Sequence, residues 1–131
     1  VTIFVDTSAL YALLDRDADE HGEAAAAFDR LIDAELLLTH NYVVVEAEAL
    51  ARGRLGLPAA RDLLDRLLPP IEVHWVDRDL HAAAVAALLA AGRRELSLVD
   101  CVSFEVMRRL TISTAFAFDR DFARAGFRTV P

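Results

Sequence analysis

The stretch Val1-Thr2-Ile3-Phe4-Val5-Asp6-Thr7-Ser8-Ala9-Leu10 decides the fold. Val1–Val5 is short, apolar and rich in β-branched residues, which reads as a buried strand. Asp6-Thr7-Ser8 then offers three side chains able to cap a helix, and Ala9–Leu14 continues in helical composition. A strand that runs straight into a helix is the first half of a βα unit. The rest of the chain repeats the alternation. Glu20–Ile32 is amphipathic, with Ala24, Ala27, Phe28, Leu31 and Ile32 on one face. Glu35–Thr39 is a second strand, and Asn41 is placed to cap a helix to about Arg52, with Gly53 at its end. Leu57–Leu68 is helical, with Pro58 in the first turn and Pro69-Pro70 as the stop. Ile71–Val76 is a third strand. Asp77 caps Leu80–Ala91, which Gly92 closes, and Ser97 caps a helix to about Leu110. Ile112–Phe118 is a fourth strand, Asp119 opens a short helix, and Phe127–Val130 is a fifth strand candidate. This alternation predicts an α/β protein: a three-layer α/β/α sandwich on a mostly parallel sheet of four to five strands.

Composition narrows the class. The 131 residues fit one domain spanning 1–131, and 55% hydrophobic content can fill a core. No apolar stretch reaches the roughly 20 residues of a membrane span, and the apolar opening lacks the basic start of a signal peptide. Cys101 is the single cysteine, so no internal disulfide framework exists. These features lead us to expect a soluble, cytoplasmic protein. The net charge of −7 runs against nucleic-acid binding, but the charge is uneven. The acids crowd the first half, and most arginines lie in the second. All 14 basic residues are arginine, a composition that suits a GC-rich genome as well as it suits phosphate-gripping forks.

Four acids stand just past apolar runs or in the openings of helices: Asp6, Glu46, Asp100 and Asp119. In an open parallel sheet the ligand site lies beyond the carboxyl ends of the strands, where strand order reverses. Asp6 and Asp119 both occupy such ends. If their strands are neighbours and the helices carrying Glu46 and Asp100 face the same point, the carboxylates converge, and converging carboxylates imply a cation. Each acid also has a plain alternative. Asp6 can be an N-cap. Glu46 can be a surface glutamate like Glu48. Ser97-Leu98-Val99-Asp100 has the spacing of a capping box. Asp119-Arg120-Asp121-Phe122 has a twin in Asp77-Arg78-Asp79-Leu80, and both suit a helix start. His21, His40, His74 and His81 show no metal-ligand spacing and read as surface or strand-end residues. Cys101, Trp75, Phe116 and Phe118 read as core. Phosphate-binding glycine loops and nucleophile elbows are absent.

Taken together, Phe4-Val5-Asp6-Thr7-Ser8-Ala9-Leu10, Thr39-His40-Asn41-Tyr42-Val43-Val44-Val45-Glu46, Leu96-Ser97-Leu98-Val99-Asp100-Cys101-Val102-Ser103-Phe104 and Phe118-Asp119-Arg120-Asp121-Phe122 resemble the PIN-domain ribonucleases, specifically the VapC-like toxins of toxin–antitoxin pairs. The segments stand in the family's order and cover nearly the whole chain. The resemblance implies Asp6, Glu46, Asp100 and Asp119 as the catalytic acids and as ligands of Mg²⁺ or Mn²⁺. It implies Thr7, Ser8, Asn41 and Ser97 as polar support, and Asp121 as an acid beside the metal site. It leaves Asp77 and Asp79 out. Ala117 departs from the pattern, since many relatives carry a hydroxyl residue there. The resemblance further implies an RNA substrate, a homodimer, and an antitoxin partner that blocks the site.

Arg93, Arg94 and Arg120 are the leading candidates for holding RNA, with Arg108, Arg109 and Arg124 behind them. The implied reaction is metal-assisted hydrolysis of an RNA phosphodiester. A PIN-like module that binds RNA or a partner without cutting is the alternative. Haloacid-dehalogenase phosphatases need an acid where Ser8 stands, and receiver domains need a lysine, which this chain lacks.

Overall fold

The computed structural model describes residues 1–131. Five parallel strands form one sheet in the order β3-β2-β1-β4-β5. They are β1 (Thr2–Val5), β2 (Leu36–His40), β3 (Glu72–His74), β4 (Thr114–Phe116) and β5 (Arg128–Val130). Register is set at the centre, where Phe4 aligns with Leu38 on one side and Ala115 on the other. Helices α1 (Thr7–Leu14), α2 (His21–Ala34), α3 (Asn41–Leu55) and α4 (Leu57–Asp62) belong to the crossovers that move outward from β1 to β3. α5 (Arg78–Ala91) and α6 (Leu98–Arg109) return the chain past β1 to β4. Short α7 (Asp121–Arg124) links β4 to β5. Right-handed crossovers travelling in opposite directions put these two helix groups on opposite faces, which gives the expected three-layer α/β sandwich. No helix is long and apolar enough to cross a membrane.

β1 is buried from Ile3 onward, while Thr2 is partly exposed and Val1 lies exposed outside the strand; Phe4 and Val5 are inaccessible, as are Phe116, Phe122, Leu10, Leu63 and Met107. Phe4 stacks on Phe122, with ring centroids 6.0 Å apart. Many helix residues facing the core are alanine (Ala9, Ala24, Ala27, Ala47, Ala84), so helices can approach closely.

Several boundaries differ from expectation for local reasons. α3 runs through Gly53 to Leu55 and stops at Gly56, whose φ of 99° only glycine adopts easily. The cap of α3 is His40, whose Nδ1 accepts from the Val43 N–H, rather than Asn41. His40 is also wholly buried, not a surface histidine; its Nε2 pairs with Ser103 Oγ at 2.8 Å, and burial pushes its pKa down to about 3. The helix over 57–68 is α4 followed by one π-helical turn, Leu63–Leu67. Trp75 is 74% exposed instead of core: β3 is an edge strand that ends at His74, so no layer covers the next residue. Ile32 is likewise partly exposed.

Candidate active site

The order of the strands creates the site. β1 has β2 on one side and β4 on the other, so the direction of travel reverses there and the loops after β1 and β4 diverge to opposite faces. Such a crevice is where parallel sheets bind ligands. Asp6 is the first residue past β1, and its backbone N–H continues the ladder to the Phe116 carbonyl at 3.0 Å. The side chain is 4% exposed. Its Oδ2 accepts from the Ser8 N–H at 3.1 Å and from the Ser8 hydroxyl at 2.6 Å, so it does cap α1. Ser8 Oγ in turn accepts from the Phe118 N–H at 2.9 Å. One hydroxyl thus joins the loop after β1 to the loop after β4.

Asp100 both closes a capping box and lines the same crevice. The capping box exists: Ser97 Oγ accepts from the Asp100 N–H at 3.1 Å, and Asp100 Oδ2 accepts from the Ser97 N–H at 3.2 Å. A carboxylate has more acceptor capacity than one bond uses, and the same side chain lines a hollow of about 240 Å³ with Asp6, Glu46 and Asp119. The four predicted acids therefore meet. Thr7 and Ser8 line the hollow as well, while Ser97 acts on it through Asp100.

The electrostatics show the strain of this gathering. Burial, opposed by the Ser8 bonds and reinforced by Asp100 and Asp119, raises the Asp6 pKa to about 7. Burial, with Asp119 and Glu46 adding to it, raises Asp100 to about 6. Desolvated carboxylates that repel one another are stabilised by a cation. Thr7 Oγ1 adds a second sign: it is buried with no hydrogen-bond partner, an unusual state for a hydroxyl. The donor set is all oxygen, with no histidine or cysteine, and suits a hard divalent ion such as Mg²⁺ or Mn²⁺.

Asp121 sits at the edge of this group. Its carboxylate oxygens lie within 4.8 Å of those of Asp100 and Asp119. It is held by Arg93 at 3.0 Å and Arg124 at 3.3 Å, both on Oδ1. Asp119 Oδ1 accepts from the Asp121 N–H at 2.9 Å. Arg94 and Arg120 are exposed and form no ion pair. Arg109 is spent on Asp79 at 3.0 Å. Asn41 does not line the hollow of the four acids but shares an adjoining one with Glu46, and its Oδ1 accepts from the Val76 N–H at 2.7 Å, fastening α3 to the end of β3.

Three residues lining the hollow, Tyr11, Leu50 and Arg54, are not among those nominated from sequence, and two of them are polar. Arg54 lines it, with its guanidinium 5.5 Å from the centre of the Tyr11 ring, which also lines it. The signal was helical spacing: Arg54 lies eight residues after Glu46, and Tyr11 four after Thr7, each on the face its predecessor occupies. Ending α3 at Gly53 had hidden the first.

A parallel sheet of this order with acids lining the crevice at its switch point defines an α/β protein with an oxygen-rich candidate site. The chain belongs to the PIN-domain family, whose profile matches residues 3–128. It is 38% identical over 126 residues, 95% of each chain, to the 23S rRNA-specific endonuclease VapC20 of Mycobacterium tuberculosis. The crystal structure of that Mycobacterium tuberculosis protein, described as a Sarcin-Ricin loop cleaving toxin, superposes with a TM-score of 0.87 at 37% identity over 95% of both chains. FitAcB from Neisseria gonorrhoeae shares the fold at a TM-score of 0.70 and 16% identity, covering 98% of this chain and 96% of that one.

Proposed function

We propose that this protein is a metal-dependent endoribonuclease, the toxin of a toxin–antitoxin pair, and that Asp6, Glu46, Asp100 and Asp119 hold a Mg²⁺ or Mn²⁺ ion. The observation that carries the reading is the meeting of these four carboxylates in one crevice, two of them with pKa values raised by burial. The 38% identity to an endonuclease named for 23S rRNA supports an RNA substrate and makes ribosomal RNA the first to try.

When bound, the cation neutralises the scissile phosphate and acidifies a water for attack. The protein's own contribution is arrangement. Ser8 fixes the Asp6 carboxylate, and the capping box fixes Asp100, so two ligands are rigid before substrate arrives. Glu46, on a different helix and more exposed, is free to orient the attacking water or accept its proton. Arg54 lines the acidic mouth and can neutralise approaching phosphates, and the exposed Arg94 and Arg120 are candidates for the same task. Asp121, already paired with two guanidiniums, supports Asp119 from behind. Exposed apolar side chains such as Leu57, Leu64, Val45 and Trp75 leave surface for an antitoxin and for a second copy of the chain.

The test is one assay. Purified protein is incubated with ribosomal RNA and Mn²⁺ or Mg²⁺, beside Asp6→Asn and Asp100→Asn. The expected result is discrete cleavage by the wild type only. Equal cleavage by the variants would reveal a contaminating nuclease, and binding without cleavage by the wild type would favour a non-catalytic RNA-binding module.

A further inference from the structure

Beside the acids' crevice lies a second hollow of about 230 Å³ that the mechanism leaves unused. Its walls are small: Ala87 and Ala91 from α5 and Ala125 after α7. Phe104 forms its aromatic side, 7% exposed and braced edge-on against Phe122 at 5.1 Å. Its rim is cationic. Arg108 lies over Phe104 and Phe127, 6.0 and 5.7 Å from the ring centres. Arg93 and Arg124 converge on the single buried carboxylate Asp121, using one oxygen of it between them. Three guanidiniums and one carboxylate line the hollow, while Glu95 and Glu105 approach Arg93 and Arg108 only loosely, at 4.0 and 3.9 Å, so the lining itself carries more positive than negative charge in a chain of net charge −7. A guanidinium carries five N–H donors, so the Arg93 and Arg124 pairs leave donors free at a partly exposed rim.

Small apolar walls with an aromatic side fit a nucleobase; a cationic rim fits its phosphate. A bare anion would need only the rim. The address matters too, since Asp121 is shared between this hollow and the group formed with Asp100 and Asp119. We infer that this hollow seats a nucleotide next to the scissile phosphodiester, with its base against Phe104 between Ala87 and Ala91 and its phosphate on Arg93 and Arg124. The inference rests on the nuclease reading and deepens it: the hollow selects the base beside the cut.

Ala87→Phe fills the hollow without touching the four acids. The expected result is a KM for the cleaved RNA raised about tenfold, the scale of losing one base–aromatic contact. The kcat should change little, and the cut position should become less selective. An unchanged KM and cut position would overturn the inference. A second readout covers poor folding of that variant. The native Cys101 is buried, whereas Ala91→Cys sets an exposed thiol on the wall of the hollow. A short oligoribonucleotide spanning the cleaved bond, held uncut by an Asp119→Asn protein that also carries Ala91→Cys, should slow alkylation of this thiol while inorganic phosphate does not. Equal alkylation with and without the oligonucleotide removes the base from the hollow, and protection by phosphate alone reduces it to an anion site. Wild-type protein that cuts no RNA defeats the nuclease reading itself. Wild-type cleavage that Ala87→Phe leaves untouched defeats only the subsite.

Discussion

Two segments of this chain are written almost alike: Asp77-Arg78-Asp79-Leu80 after β3 and Asp119-Arg120-Asp121-Phe122 after β4. Each begins at the carboxyl end of a parallel strand, and each first aspartate accepts a backbone N–H at the opening of a helix, Leu80 for Asp77 and Asp121 for Asp119. Their surroundings then part. β3 is the outer strand, so Asp77 is exposed and Asp79 reaches across the surface to Arg109. β4 lies against central β1, so Asp119 enters the crevice with Asp6 and Asp100, and Asp121 is buried beneath two arginines. The same local chemistry caps a helix at the rim of the sheet and places a carboxylate in the crevice at its switch point. Address in the sheet, rather than the four letters, separates them.

The sharpest way to break this comparison is to remove both first aspartates in turn. Asp119→Asn should lower RNA cleavage about a hundredfold or more, on the scale of losing one preorganised charge-stabilising group, while Asp77→Asn leaves the rate unchanged. Equal losses would mean that the crevice is not where the chemistry occurs. The second members should diverge less. Asp121→Asn should cost about tenfold in activity, as supporting groups of metal sites do, read as a rise in the Mn²⁺ concentration needed for half-maximal rate. Asp79→Asn should move neither rate nor Mn²⁺ requirement, because it removes only an exposed ion pair.

Stability gives the smallest effect but a difference in sign. Asp77→Ala loses a cap and should destabilise the fold by about 1 kcal/mol at neutral pH. Asp6→Asn should do the reverse in metal-free protein. The folded Asp6 pKa of about 7 and Asp100 pKa of about 6 lie above the ordinary 3.8. The folded state therefore binds these protons more tightly, and the stability they confer is complete below about pH 4 and lost as pH rises through 6 to 7. Thermal melts without metal should find Asp6→Asn more stable than wild type at pH 8, with the gap closing towards pH 4. Mn²⁺ should raise the wild-type Tm more at pH 8 than at pH 5. A Tm that rises with pH in metal-free wild type would contradict the burial of these acids.

The ends of the elements show what could be read from residues alone. Local signals were sound where the partner was near: the Ser97–Asp100 box, the Asp77 cap and the Gly92 stop all form as spacing suggests. They failed where the partner was distant. Asn41 gives its side chain to Val76, thirty-five residues on, so His40 takes over the cap. Trp75 looked like core because tryptophan is apolar, but the end of an edge strand has nothing to bury it against. The acids could be nominated from their positions after strands, yet Asp119 could not be told from Asp77 without strand order, a long-range property. Arg54 was missed because a glycine in mid-helix resembled a helix end.

The joining hydroxyl of Ser8 has a consequence for synthesis. It links Asp6 to the backbone of Phe118, 112 positions later in the chain, and β1 cannot fill its second edge until β4 arrives. Domains fold as they emerge from the ribosome, amino-terminal part first. A growing chain that has released β1, β2 and β3 still has an open strand edge and an unfinished crevice. The crevice holds all four acids only when residues beyond 119 can dock, so the fold itself delays the completion of the site until the last strands are made.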